Sequence, residues 1–254
     1  MAKNITRAVG LEGETSALAD LRRIFNAGPP RVVELEVPPD RKITALMADD
    51  LNDAASGPDA LAVAQRLMAL INGATFALDS DRSHINTALV YEQDAAGNWN
   101  HGTNYASLTV LQGGGRLEAK GLVVMGPDEV PIPPEDKPPR PATWIALADG
   151  ADADSVTDIL HALGRDPDWF DLWKAWEMIQ GDRHVIPSWP SDDIEWFCST
   201  ATLYRHARNS QQGRKALKRL EEMQKPQLAL TEARRLTARL VTAWLNWKAG
   251  LYPA

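Results

Sequence analysis

Tryptophan side chains in the C-terminal half have a spacing that suits ligand binding. Trp169, Trp173 and Trp176 lie at i, i+4 and i+7, which places three indoles on one helix face, and Trp196 follows nearby. A wall of this kind can stack a base or enclose a cation. The competing interpretation is that these indoles are large core fillers. Trp173, Trp176 and Trp196 are therefore candidate ligand-binding residues.

A cluster of cationic side chains follows these indoles. Arg205 and Arg208 are spaced i, i+3 at the end of a predicted helix, so their guanidinium groups can hold a phosphate or a carboxylate together. His206 lies between them and can carry a proton, with Glu177 or Glu195 orienting it. The competing interpretation is a basic last turn that stabilises its own helix. His206 and Glu177 are the candidate catalytic residues, and the two arginines are the candidate anion ligands.

The charge is divided unevenly along the 254 residues. The formal net charge is -7, yet residues 205–248 carry eleven lysines and arginines against three acids, which leaves -15 on the other residues. One interpretation is an exposed basic surface for an anionic partner. The other is a basic helical pair docked on the acidic part of its own chain, or of a second copy in a homo-oligomer. The acidic total disfavours a general nucleic-acid coat, because phosphate binding depends on lysine and arginine.

Other features of the composition exclude several classes of protein. Apolar residues make up 44% of the chain and charged residues 24%, as in soluble globular proteins. Cys198 is the single cysteine, which excludes an intrachain disulfide, and without a histidine one turn away it is not expected to be a nucleophile. No metal-ligand or cofactor motif is present, so we predict neither a metal nor a cofactor. The lack of an uninterrupted apolar segment predicts a cytoplasmic protein without a membrane span.

The elements that must position these side chains differ between the two halves of the chain. Residues 1–126 show the period of two that is typical of antiparallel strands, with three glycines at 113–115 that suit a hairpin turn. The predicted strands lie at 33–37, 86–93, 105–110 and 116–123. A second hairpin joins the strand at 86–93 to the segment near Trp99. Helices are predicted at 16–26 and after a cap at Ser56 or Asp59, the latter ending at Gly73.

Seven prolines at 127–141 predict an extended linker between two domains. Beyond it, residues 142–254 show a period of 3.6, which predicts a helical bundle. Five helices are expected, starting at Ser155, at Asp166-Pro167, at Ser191, near Lys215 and at Thr231. The third has Phe197, Ala201 and Tyr204 on its apolar face. The predicted fold class is thus α+β, a small antiparallel sheet domain with one or two helices followed by an all-α domain.

Several segments of the C-terminal half resemble a large set of bacterial proteins with no assigned activity. The resemblance lies in a "DLYKxxE" helix, an "FTxTAN…ARH" segment and a final "LxEAxxxIxxLxxxWL" helix. Their counterparts here are at 169–177, 197–201, 205–207, 231–234 and 244–245, and 71–74 is similar to the N-terminal half of the same set. The resemblance implies a β-rich N-terminal half, a helical C-terminal half and a bacterial origin.

Together these patterns predict a cytoplasmic bacterial binding protein. It would capture a protein partner or a small anionic ligand through Arg205 and Arg208, beside an apolar wall of tryptophans. One alternative is a hydrolase or transferase acting on a phosphorylated or nucleic-acid substrate through His206 and Glu177. Another is a nucleic-acid-binding module built from the last two helices.

Overall fold

A four-stranded antiparallel sheet followed by a set of helices forms the fold, which confirms the predicted α+β class. The computed structural model describes residues 6–105, 140–149, 153–186 and 193–251. The strands are β1 (Thr6–Glu12), β2 (Arg31–Val37), β3 (Arg41–Met47) and β4 (Asn86–Gln93). The α-helices of these ranges are α1 (Thr15–Ile24), α2 (Asp49–Asp53), α3 (Gly57–Leu78), α4 (Arg140–Ala146), α5 (Ala153–Leu163), α6 (Trp169–Ile179), α7 (Ile194–Arg205), α8 (Gln211–Glu222) and α9 (Leu230–Lys248).

The sheet has the strand order β2-β3-β1-β4, and all its pairings are antiparallel. The predicted hairpin after β4 is present, because Asp94 accepts hydrogen bonds from the turn and Gln93 pairs with Trp99. The alternation predicted for β2 is present too, with its glutamates exposed. Arg7 of β1 is a buried cation that makes an ion pair of 2.9 Å with Glu92 and donates to backbone carbonyls at the end of α2.

The helix α3 joins the two halves of the molecule. It packs against the sheet and also against α4, α5 and α9, so the buried residues of both halves form one continuous core. The prediction that this helix ends at Gly73 is wrong. A Cβ atom at that position would lie 2.0 Å from the carbonyl oxygen of Leu160, and one at Gly164 would lie 2.1 Å from that of Ala69. The two glycines therefore allow α3 and α5 to approach closely.

By length and composition, α3 is also the one candidate for a membrane span among the described helices. However, 61% of its apolar window is buried inside the fold. This burial is typical of a core helix in a globular protein.

The ends and faces of the C-terminal helices differ from their predictions at a few positions. The second of these helices begins after Asp168, not at Asp166, because Asp168 accepts from the first-turn N–H groups in a capping box while Asp166 has a φ of 59°. Tyr204 is exposed, so its assignment to the apolar face of α7 is wrong. The stripe predicted for α9 is confirmed, with Leu236, Leu240 and Trp244 buried.

Some predictions fall on other parts of the chain. The predicted strand at 105–110 lies outside the described residues apart from Tyr105. The strand at 116–123, the glycines between the two, residues 127–139 of the proline-rich segment and Ser191 also lie outside them. The division into domains at 1–126, 127–141 and 142–254 stays a prediction.

Candidate functional site

Two adjoining cavities lie where α3 and the segment 79–87 meet α5 and the start of α9. One has a volume of about 750 Å³ and the other about 670 Å³. Asn72, His84 and Arg165 line both, so the two form one groove. We call the larger cavity the basic lobe, the smaller one the ion-paired lobe, and the pair the interhelical groove.

The basic lobe combines two guanidinium groups with two imidazoles. Arg66 comes from α3, His161 from α5, and His84 and Arg165 from the segments that follow these helices. No aspartate or glutamate is among the described residues that line it. A cavity with this lining has a positive potential, because two guanidinium groups face it and no described carboxylate lines it.

Asn72 fixes the position of His84. Its side-chain amide, which is buried, donates to the carbonyl of Ile85 over 2.8 Å and accepts from the Ile85 N–H over 3.3 Å. The same amide nitrogen lies 3.4 Å from Nε2 of His84. Burial lowers the pKa of His84 below its ordinary value, although the Asp166 carboxylate and a hydrogen bond with Asn86 oppose the shift. The imidazole is thus held in place and is largely neutral at neutral pH.

The other three basic side chains of the basic lobe make no ion pair with the described residues. Arg66 and Arg165 are exposed and make no ion pair with any residue in the described ranges. Nε2 of His161 is buried, and no described group lies within hydrogen-bonding distance of it. A buried polar atom without a partner costs free energy, and a bound anion or water would remove that cost.

Arginines of the ion-paired lobe are neutralised within the chain. Arg234 pairs with Asp166 over 2.8 Å, and Arg235 with Asp81 over 2.7 Å. The Asp81 carboxylate raises the pKa of Arg235. Arg82 pairs with Asp20 of α1 over 2.8 Å; its side chain is 12% exposed, and Nη1 is buried without a partner among the described groups. These pairs connect α9 and α1 to the loops around the groove and leave the basic lobe as the more cationic part.

Sequence reasoning missed this groove. Arg66, His84, His161 and Arg165 lie far apart in the chain and belong to no recognisable motif. They come together only because α3 and α5 cross closely at their glycines. The nearest signal in the sequence was the presence of two glycines, Gly73 and Gly164, next to the apolar residues of two predicted helices.

The structure brings together three of the residues predicted from the sequence. Nη1 of Arg205 lies 3.5 Å from Oε1 of Glu177, and its guanidinium stacks 4.6 Å from the ring centroid of Trp173. His206 is the C-cap of α7, where its backbone N–H donates to the carbonyl of Thr202 over 3.0 Å. Arg208 follows in the loop; it is exposed and makes no ion pair within the described part of the chain.

The other two predicted indoles occupy separate environments. Trp176 is 3% exposed and lies in the core, so a ligand would reach it only by displacing its neighbours. Trp196 donates from Nε1 to the Pro226 carbonyl over 2.7 Å, and Nζ of Lys225 covers its ring at 4.4 Å. These contacts are the ones expected of structural side chains. Their roles in ligand binding stay predictions.

Cysteine and metal chemistry have little support in the described residues. Burial raises the pKa of the Cys198 thiol to about 11, so at neutral pH the sulfur is protonated and a poor nucleophile. Within 6–105, 140–149, 153–186 and 193–251, no three histidine, cysteine, aspartate or glutamate side chains are grouped closely enough to hold a metal ion.

Comparisons of the chain with known protein families, with functionally described proteins and with solved structures find no match.

Proposed function

We propose that the protein is a cytoplasmic bacterial protein that binds a small anionic ligand in the basic lobe of the interhelical groove. The observation that carries the proposal is the lining of that lobe, where Arg66, Arg165, His84 and His161 face one cavity without a carboxylate. The sequence predicted anion capture by Arg205 and Arg208. The site proposed here is formed by other cationic side chains, those of Arg66 and Arg165.

Unpaired arginines favour this lobe over the ion-paired lobe of the same groove. A guanidinium that already holds a carboxylate must break that pair before it binds an external anion, as Arg235 would with Asp81. Arg66 and Arg165 have no such pair among the described residues. Their planar donors suit phosphate or carboxylate oxygens, and each hydrogen bond to a charged group contributes about 1.5–3 kcal/mol.

Calorimetric titration with inorganic pyrophosphate tests the proposal. Arg66→Gln and Arg165→Gln should each weaken pyrophosphate binding about tenfold or more, because each removes a charge-assisted hydrogen bond. Arg208→Gln is the matched control, since Arg208 is also exposed and free of ion pairs within the described ranges. The control should bind pyrophosphate as the unaltered protein does.

Two results would count against the groove. Equal binding by the unaltered protein and the double variant, with both folded by circular dichroism, would remove the basic lobe as an anion site. Loss of binding in Arg208→Gln alone would move the site to the end of α7, as the sequence first predicted. The catalytic alternative stays a prediction without added support, since Glu177 pairs with Arg205 and no hydrogen bond between described atoms joins it to His206.

A further inference from the structure

The end of α7, the loop after it and α8 form a region of concentrated positive charge. Residues 205–219 contain six lysines and arginines and no acid. We call the exposed part of this region the α7–α8 surface. It consists of Tyr204, Arg208, Arg214, Lys215, Lys218 and Arg219. All six side chains are exposed, and none of them lines the interhelical groove.

Most cations of this surface are not neutralised by the described part of the chain. Arg208, Arg214, Lys215 and Arg219 make no ion pair there, and Lys218 pairs only with Glu222 of the same helix, over 3.5 Å. Such exposed pairs contribute little and exchange readily with solvent. The arginines of α9 contrast with them, because those side chains hold carboxylates from other elements.

Packing of α8 explains why its cations face outward. Gly213, Ala216 and Leu220 are buried and form the inner face of the helix, which packs on α7. A Cβ atom at Gly213 would lie 2.3 Å from the carbonyl oxygen of Ala207, so the loop after α7 sits directly on the first turn of α8. Lys215 and Arg219 are spaced i, i+4 on the outer side, as neighbours on one face.

An exposed aromatic ring lies in the last turn of α7, beside the loop that carries Arg208. Tyr204 is 57% exposed, and its ring stacks on Trp169 with centroids 4.7 Å apart and an interplanar angle of 13°. The stack holds one face of the tyrosine against the protein and leaves the side chain accessible. Phe170, next to Trp169 in the chain, is 65% exposed.

From the charge and the rings together we infer that the α7–α8 surface binds single-stranded nucleic acid. Phosphates pair with exposed lysines and arginines, while unstacked bases have faces that pack on rigid aromatic side chains. An acidic protein segment would use the cations but would have no base to stack on Tyr204. Binding should tolerate many sequences, because every base has a stacking face.

The salt dependence of binding gives a quantitative expectation. For single strands, the logarithm of the binding constant falls with the logarithm of salt concentration by about 0.7 per phosphate contacted. Four unpaired cations therefore predict a slope of about -3. Lys215→Ala with Arg219→Ala removes two contacts and should bring the slope to about -1.4, with binding weaker at every salt concentration.

Fluorescence anisotropy with a labelled single strand of about ten nucleotides of mixed sequence tests the inference. Tyr204→Ala should weaken binding about fivefold or more, and Tyr204→Phe should keep it, because stacking needs the ring and not the hydroxyl. Arg31→Ala with Arg41→Ala is the matched charge control; both arginines are exposed on the sheet and lie away from α8. This control should change the slope little.

Three outcomes would overturn the inference. The first is no binding of the strand at low salt. The second is binding that the Lys215 and Arg219 changes leave intact, or that the Arg66 and Arg165 changes abolish, since either result places the strand elsewhere. The third is competition by polyglutamate at equal charge, with no effect of Tyr204→Ala, which would assign the surface to an acidic protein partner.

Discussion

Replacing Gly73 by alanine tests how closely α3 and α5 approach, because two effects of opposite sign compete at this position. Alanine has the higher helix propensity, which alone would stabilise an exposed helix by about 1 kcal/mol. Against this, its Cβ would meet the Leu160 carbonyl oxygen at 2.0 Å, where an ordinary contact needs about 3.5 Å. The atoms that this Cβ would meet belong to the backbone of Leu160 and not to a flexible side chain, so the two helices themselves must separate.

The clash should exceed the propensity gain. Overpacking of a well-packed core typically costs about 1–3 kcal/mol, and a contact between two helix backbones belongs near the upper end of that range. Subtracting the propensity gain leaves a net loss of about 2 kcal/mol in the free energy of unfolding for Gly73→Ala. Adding Gly164→Ala should cost less than the sum of the two single changes, because one separation of the helices relieves both contacts.

Urea unfolding monitored by circular dichroism measures this loss. Gly73→Ala should lower the midpoint with an unchanged m-value, and pyrophosphate binding should weaken as well, since Ala69 and Gly164 line the basic lobe at the same crossing. Gly181→Ala is the control, because nothing lies within 4 Å of a Cβ atom there. If Gly73→Ala were as stable as the unaltered protein or more stable, the close crossing, and with it the shape of the basic lobe, would be refuted.

Three further predictions concern buried or partly buried ionisable groups. Arg7→Met should lower the free energy of unfolding by about 2–3 kcal/mol in urea, because Glu92 and two backbone carbonyls lose a buried partner. Alkylation of Cys198 by iodoacetamide should accelerate about tenfold per pH unit from pH 8 towards the thiol pKa of about 11, and a rate that levels off near pH 8 would contradict this. Burial lowers the pKa of His84 below the ordinary histidine value of about 6.5, and a bound anion favours its protonated form. The affinity for sulfate should therefore rise as the pH falls below that ordinary value, and His84→Gln should flatten this profile.

The spacing of apolar residues was sufficient to predict helices and strands that have one buried face and one exposed face. The stripe of α9 and the alternation of β2 are both of this kind, and both are present in the structure. In contrast, the interior of β1 is buried on both faces, so its residues do not alternate in polarity and the strand was not predicted. Its register depends on pairing with β3 and β4, which no local rule supplies.

Gly73 shows why the close crossing of α3 and α5, and the interhelical groove beside it, could not be predicted from the sequence. A glycine in a helical pattern signals either a stop or a close approach, and the choice depends on what packs against it. The interhelical groove follows from that packing, so its four basic side chains have no shared signal in the sequence. Arg205 and Glu177 are different, because both lie on predicted helices and the structure places their charged groups 3.5 Å apart.

The sequence left two interpretations of the basic segment 205–248, an exposed basic surface and a helical pair docked on acidic parts of the chain. Each describes one part of the segment. The helix α9 packs against α3, α4 and α6, so its exposed edge meets loops that carry Asp81 and Asp166, and Arg234 and Arg235 are neutralised there. Of the described elements, α8 packs mainly on α7, and no ion pair between described residues joins the two helices, so the cations of α8 face solvent. Since residues 1–204 carry a net charge of -15, a polyanion would be repelled by much of the surface and attracted to the exposed cations of α8. The excess of acid that disfavours a general nucleic-acid coat therefore makes binding at one basic helix more selective.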